Sequence, residues 1–448
     1  MTARAQRRLM MLVAASALLA AAACSPGSGD SDDDTGGSAG GDATTVTFRL
    51  WDEAAAASYE ASFDAFTEQH PEIEVEIETV PWANYWEQLP LDIQAGEMAD
   101  IFWTNTSNYG IYADNGNLLN ISEVLGEDHD EWSAGSADLY TRDGSLWGVP
   151  QLTDSIALFY NATLLDAAGI DPNELAWSPN PDEDTLLPAL QQLTTDAAGV
   201  TAAEEGFDPE SVEVYGFNAQ NDLQAIYIDF LAQNGAQFQD GDQYAFNSPE
   251  GVAAFQYLVD LINTHHVAPP AADTNANGDL SREYFVQGKL ALFQSGQYSL
   301  PAMADIGDSF EWGIAPMVAG PEGRIGVVHS VAALGNAATE HPEEVAEVLA
   351  WIGSAEGQMF LAEDGSAFPA AVDAQQAFTD YWTEQGVDTA AFVEQAAGQT
   401  TPAPVGPSSN AGLTAIGPYL GDMFLGAITV EEALQQAQDA GNEAIIAQ

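Results

Sequence analysis

From Thr44 onward the chain switches between two hydrophobic periods. Val46-Thr47-Phe48-Arg49-Leu50-Trp51 and Ile73-Glu74-Val75-Glu76-Ile77-Glu78-Thr79-Val80 alternate apolar and polar positions and predict β-strands. Between them Tyr59, Phe63 and Phe66 recur at helical spacing, which predicts a helix over Ala54–His70 ending before Pro71. A second helix is expected over Tyr85–Ala95, then a short buried strand, Asp100-Ile101-Phe102-Trp103. Strand, helix, strand, helix, strand is the pattern of an α/β fold with a largely parallel sheet. Ligands of such sheets bind beyond the carboxyl ends of the strands. Those ends carry Trp51-Asp52-Glu53, Trp82 and Trp103-Thr104-Asn105.

Further along, Leu146–Pro150 and Ile156–Asn161 form apolar runs, followed by helical patterns near Leu186–Ala198, Leu223–Asn234 and Gly251–His265. Trp312–Met317 and Ile325–Leu334 read as strands, and His341–Ile352 and Glu356–Glu363 as helices. Thr429–Ala447 places Val430, Ala433, Leu434, Ala437 and Ala440 on one face, an amphipathic helix. No short-period repeat is present.

The first residues follow neither period. Arg4, Arg7 and Arg8 precede an apolar run, Leu9–Ala23, that is too short to span a bilayer comfortably and has the flanks of an export signal. It ends at Cys24, the chain's one cysteine, after the small residue Ala23, and resembles a bacterial or archaeal lipoprotein signal. That resemblance implies a signal peptide over 1–23 and diacylglyceryl attachment at Cys24. Arg7-Arg8 also resembles a twin-arginine export signal. The stretch 24–43, rich in Gly, Ser and Asp, cannot build a core and reads as a flexible acidic tether. Its length corresponds to a mean reach of roughly 20–25 Å.

Composition narrows the chemistry. The 448 residues include 46% apolar positions, enough for a large core, yet Lys and Arg total 8 against 69 Asp and Glu, for a net charge of −61. Beyond Cys24 the cations are Arg49, Arg142, Arg282, Lys289 and Arg324, scattered along the chain. Nucleic acid is thereby excluded as a partner, as is a polybasic membrane patch. Such a surface repels itself at low ionic strength and is expected to suit high salinity. One cysteine forms no internal disulfide. Asp273-Thr274-Asn275-Ala276-Asn277-Gly278-Asp279 opens like a calcium-binding EF-hand loop, but Tyr284 stands where the closing Glu belongs, so no metal is expected there. Phosphate-loop, nucleophile-elbow and zinc spacings are missing.

A resemblance runs along the chain from about residue 45 to 445. Asp100-Ile101-Phe102-Trp103, Gly148-Val149-Pro150 and Ile156-Ala157-Leu158-Phe159-Tyr160-Asn161 resemble the family 1 extracellular solute-binding proteins of sugar ABC transporters, relatives of maltose-binding protein. Ala168-Gly169-Ile170 with Trp177, Phe285–Leu292 with its Gly288-Lys289 step, Gly296-Gln297-Tyr298, Trp351–Gln358 and Thr429–Leu434 continue the order. The resemblance implies an α/β, two-lobed periplasmic-binding-protein fold of type II, with ligand held between lobes that close about hinges. The expected N-terminal lobe is 44–157 plus 322–370, and the C-terminal lobe 158–321 plus 371–448. The implied partners are a permease of an ABC importer and a membrane reached through the lipid at Cys24. A monomer without cofactor is expected, and no catalytic role.

The residue types suit an uncharged sugar, whose C–H faces take aromatic rings and whose hydroxyls pair with acids, amides and hydroxyls. Candidates are Asp52, Trp82, Tyr85, Trp103, Asn105, Asn108, Asp154, Trp177, Asn218, Gln220, Gly296, Tyr298, His329 and Ser330. Asp154 also matches an acidic ligand position in maltose-binding relatives. Each residue has a plainer reading, as core, turn or helix cap. Two rival functions stay open: a binding protein for glycerol-phosphate or another anion, which would recruit Arg or Lys, and a secreted glycoside hydrolase, which needs a carboxylate pair.

Overall fold

In a computed structural model the described residues are 43–127, 129–241, 243–406 and 409–446; the export signal, Cys24 and the tether lie outside them. The chain begins with β1 (Thr44–Leu50), α1 (Glu53–Gln69), β2 (Ile73–Thr79), α2 (Trp82–Ala95), β3 (Ile101–Asn105) and β4 (Val149–Asp154). After Ser155 come β5 (Ile156–Asn161), β6 (Val212–Phe217), α3 (Pro249–Asn263), β7 (Leu290–Gly296) and β8 (Trp312–Pro316). The last third contains β9 (Ile325–Val327), β10 (His329–Gly335), α4 (Pro342–Gly353), α5 (Ala355–Glu363), α6 (Gln375–Glu384), α7 (Ala390–Ala397), β11 (Gln399–Thr401), α8 (Ser409–Phe424) and α9 (Val430–Ile446).

Two five-stranded sheets organise these elements. The first has the order β2-β1-β3-β10-β4; the second runs β8-β5-β7-β6 and ends on the short strand Thr195–Asp196. Parallel pairing of β1 with β2 and β3, across a helical crossover, is what the strand–helix–strand pattern predicts. β10 returns antiparallel between β3 and β4. Two buried clusters pack around the sheets, and the first also takes Phe159, Leu290 and Phe293 from the second sheet. Phe48, Phe63, Ile101 and Leu334 serve the first, and Leu158, Trp177, Phe217 and Leu292 the second.

Local chemistry sets the element ends. The Asp52 carboxylate accepts the Ala54 and Ala55 N–H groups at 2.8 and 3.0 Å and starts α1. Gly96, with φ of 73°, ends α2 in the left-handed conformation that a Cβ would strain. α2 begins one turn earlier than its periodicity predicts, at Trp82, and keeps Pro90 inside. The helix expected over Leu223–Asn234 opens instead with a π turn, Leu223–Tyr227, capped by Asp222.

The chain passes between sheets at Ser155, which alone separates β4 from β5. The continuous strand expected over Ile325–Leu334 is broken at Val328. β9 pairs with β11 outside both sheets, and β10 then enters the first. The C-terminal segment also departs from expectation. α6, placed by sequence in the second lobe, packs on α5 of the first. The cause is a buried face made by Phe378 and Trp382, four residues apart. α8 and α9 pack on each other and on α3 of the second lobe. No helix among the described residues is long and apolar enough to cross a membrane.

Candidate ligand cleft

The one-residue passage at Ser155 has a geometric consequence. β4 ends at Asp154 and β5 starts at Ile156, so the carboxyl edge of the first sheet meets the corresponding edge of the second. On the first edge, His329 pairs with Asp154, and Val331 with Asn105. On the second, Gly296 pairs with Ile156. Gln297 and Tyr298 then reach across the junction. The Ser155 N–H donates to Gln297 Oε1 at 2.6 Å, and the Asp154 carboxylate accepts the Tyr298 N–H. Gly296 is required by this arrangement, because a Cβ there would fall 2.3 Å from the Tyr298 ring.

Aromatic rings crowd the first edge. The Trp51 ring lies 5.1–5.3 Å, centroid to centroid, from Trp82, Tyr85, Trp86 and Trp103. Trp82 is the exposed member, at 47%. Trp103 is 1% exposed, packed under Trp51 and Tyr59, and the Tyr85 hydroxyl donates to the Trp103 carbonyl at 2.7 Å. Trp103 and Tyr85 therefore support the aromatic wall, while Trp51 and Trp82 form its outer layer.

Four buried polar atoms on the same edge have no protein partner: Trp103 Nε1, Thr106 Oγ1, Asn108 Oδ1 and His329 Nε2. Asn108 uses its Nδ2 to reach Asn105 Oδ1 at 2.7 Å. His329 Nδ1 lies 3.4 Å from Gln224 Nε2, a bond that joins the two lobes. A Gln224 amide donating there would make Nδ1 the acceptor and leave the ring proton on Nε2. Burial pushes the His329 imidazole down to about 4, so it is neutral at pH 7. The unpartnered set thus offers an indole N–H donor, an amide acceptor, a hydroxyl and a ring nitrogen. An unmatched buried polar group costs about 1–3 kcal/mol, so the set is suited to a ligand that both donates and accepts.

Asp154 sits at the centre of the junction, 8% exposed and with no cation beside it. Burial, reinforced by the neighbouring charge of Asp52, pushes its carboxyl up to about 7, against the pull of the Tyr298 N–H. Asp52 itself is held by its cap to α1.

The structure moves several candidates out of the cleft. Trp177, expected to line it, lies in the second core, stacked on Phe230 at 4.9 Å with its N–H on Gln233 Oε1 at 2.7 Å. Asn218 clips β6 to β7 through two bonds with the Gln294 backbone, at 2.8 and 2.9 Å. Gln220 accepts from Ser281 and donates to the Gly278 carbonyl. Ser330 is fully buried and donates to the Leu152 carbonyl. In each case the polar atoms are used within the protein, leaving little for a ligand. The EF-hand-like run is helical over Ala271–Ala276, and Asn275 donates to the Gly421 carbonyl.

Residues 51–359 match the family of bacterial extracellular solute-binding proteins. The chain belongs to this family. Among solved structures it is similar to UspC of M. tuberculosis, with 48% identity, a TM-score of 0.71, and coverage of 89% of this chain and 100% of that one. The substrate-binding protein of a Listeria monocytogenes ABC transporter, in complex with cycloalternan, has the same fold, with a TM-score of 0.77, 21% identity and coverage of 90% and 99%. The arabinooligosaccharide-binding protein of Bacillus subtilis is 22% identical over 54% of this chain and 52% of its own length. The family and these relatives are binding proteins, and the fold is their two-lobed α/β architecture.

For a solute-binding protein, the placement of charge in this one is informative. Arg49 pairs with Glu78 and Asp92, Arg142 with Asp114, and Arg282 with Asp279. Arg324 donates to the Met317 and Asn173 carbonyls, and Lys289 lies over the Tyr284 ring. Among the described residues each Lys and Arg thus has a partner, and for none of them is it Asp154.

Trp51, which the sequence places at a strand end, joins the wall, whereas Trp86, Thr106, Gln224 and Gln297 are not among the expected residues. Trp86 stands four residues after Trp82, a spacing that was legible. Gln224 had no such signal, because a π turn does not show in a hydrophobic period.

Proposed function

We propose that this solute-binding protein captures an uncharged sugar or short oligosaccharide between its lobes and delivers it to the permease of an ABC importer. The observation that carries this reading is the set of unpartnered buried atoms on Thr106, Asn108 and His329 beside an aromatic wall. A sugar hydroxyl both donates and accepts, and ring faces cover its C–H surface. An anionic solute such as glycerol-phosphate is disfavoured by Asp154 and by the engagement of each cation elsewhere. Hydrolysis is disfavoured because Asp52, the carboxylate near Asp154, is held by backbone N–H groups as a helix cap. The sugars and oligosaccharides named for relatives agree in class.

Capture works by a shift of the hinge equilibrium. Contacts from both lobes exist only when the cleft is closed, so ligand stabilises that form. Moving the population from 1:99 to 99:1 needs a differential affinity of about 5.5 kcal/mol. A thermal-shift screen against neutral, anionic and cationic sugars tests the reading. A neutral saccharide should raise the melting point, since a ligand selective for the native state stabilises it. A response confined to phosphorylated solutes would overturn it.

Export and anchoring complete the proposal: cleavage before Cys24, lipid on that thiol, and a monomer tethered by residues 24–43 outside the cytoplasmic membrane. Mass spectrometry of the mature N-terminus reads this directly. Adaptation to salt is read by melting in a series from low to molar NaCl, where the midpoint should climb; a flat series removes that part.

A further inference from the structure

We propose that His70, Glu72 and Glu347 form a binding site for a zinc-class divalent cation on the first lobe, at the pole opposite the ligand cleft. His70 and Glu72 lie in the turn between α1 and β2, so they stand at the start of β2, whereas the cleft lies at the carboxyl ends of the strands. Glu347 comes from α4, whose chain returns to this lobe only after crossing the second. Two stretches far apart in sequence therefore converge on one point.

The geometry fits a metal. His70 Nδ1 lies 3.0 Å from Glu347 Oε2 and 3.6 Å from Glu72 Oε1, and the three ligand atoms all fall within 4.8 Å of one another. A tetrahedral ion with bonds of about 2.0–2.1 Å holds its ligands about 3.3 Å apart, and the two observed separations straddle that value. The imidazole is already oriented, stacked on Phe66 at 4.5 Å and 15°, while the His70 backbone N–H closes α1 on the Phe66 carbonyl. A proton on Nδ1 serves one carboxylate well. A divalent ion would serve both and leave a fourth position for water. One imidazole among carboxylates favours zinc, cobalt or manganese over magnesium and calcium, which prefer oxygen. Among the described residues this is the one grouping of three such side chains at metal spacing. The ion would pin the returning α4 to the α1–β2 turn, stapling two parts of a lobe that are far apart in sequence.

The test uses the full chain carrying Cys24→Ser, so that no thiol competes, after treatment with EDTA. Zinc chloride is titrated by calorimetry, and cobalt(II) by visible absorption. The expected result is one zinc per chain, bound at least tenfold tighter than magnesium, a tetrahedral cobalt band, and a melting point that rises with zinc. His70→Gln and Glu347→Gln should each lower zinc affinity at least tenfold and remove the cobalt band, while the melting response to a neutral sugar is unchanged. Both side chains are partly exposed, so the variants should fold, which circular dichroism verifies. Zinc binding that is equal in the parent and both variants, or spread over many weak sites, overturns the proposal. Neither result bears on the cleft.

Discussion

The two sheet edges that meet at Ser155 are built from similar residue types and do opposite things. On the first, Thr106, Asn108 and His329 keep buried polar atoms without partners, and tryptophans form a wall. On the second, the side chains of Asn218, Gln220 and Gln294 are taken up by the backbone and, for Gln220, by Ser281, and Trp177 is sealed in the core. An amide on the second edge holds the scaffold. An amide on the first edge has capacity left over. Under the proposed function that unused hydrogen-bonding capacity is what a ligand would meet, and residue type alone does not reveal it.

Breaking the scaffold side should give the largest effect. Trp177→Ala should lower stability by about 3–5 kcal/mol, as expected for a buried tryptophan, with sugar affinity of the folded fraction changed less than threefold. Denaturant unfolding and calorimetry measure the two separately. A large loss of affinity at unchanged stability would place Trp177 in the cleft after all.

The recognition side should respond in the reverse sense. Asn108→Ala and His329→Ala should each weaken sugar binding by about ten- to a hundredfold, or about 1.4–2.8 kcal/mol, with a smaller loss of ligand-free stability, since removal of an unmatched group partly offsets the lost bond to Asn105 or Gln224. Equal losses of stability and affinity would erase the distinction between the edges.

Asp154 sharpens the comparison through pH. Its carboxyl is pushed up to about 7 by burial and by Asp52, whereas an unfolded aspartate titrates near 3.9. The folded state therefore binds the extra proton between about pH 4 and pH 7. Stability from this group is full below that window, falls as pH rises through it, and is flat above it. Asp154→Asn should thus gain in melting point over the parent across the window and level off above pH 7, by several degrees at most. A difference that is constant with pH would mean the carboxyl titrates normally.

The smallest effect is expected at Trp82. Its ring is 47% exposed, so Trp82→Ala should change stability by less than about 1 kcal/mol. Affinity for an oligosaccharide should drop more than affinity for a monosaccharide, read by calorimetry with both.

Much of the fold was legible in the sequence. The alternation in β1 and β2 and the spacing of Tyr59, Phe63 and Phe66 report directly on one buried face, so those elements fell within a residue or two. α8 was not legible, since Gly412, Gly417, Pro418 and Gly421 dilute its helical signal and its stability comes from packing against α9 and α3. α6 was assigned to the wrong lobe because sequence order says nothing about which core Phe378 and Trp382 enter. In the cleft, the strand-end rule located Trp103, Asn105, Asn108, Asp154 and His329 near one edge. It could not separate them from Asn218 and Gln220, which look the same in sequence.

By itself the sequence determined the α/β pattern, the scarcity of cations and hence the kinds of ligand disfavoured, because periodicity and charge are local or additive properties. Which polar groups are left unmatched was decided only by tertiary structure. That outcome depends on whether a partner from a distant strand arrives within hydrogen-bond distance, and for Asn218 the Gln294 backbone does, while for Asn108 Oδ1 no such partner arrives.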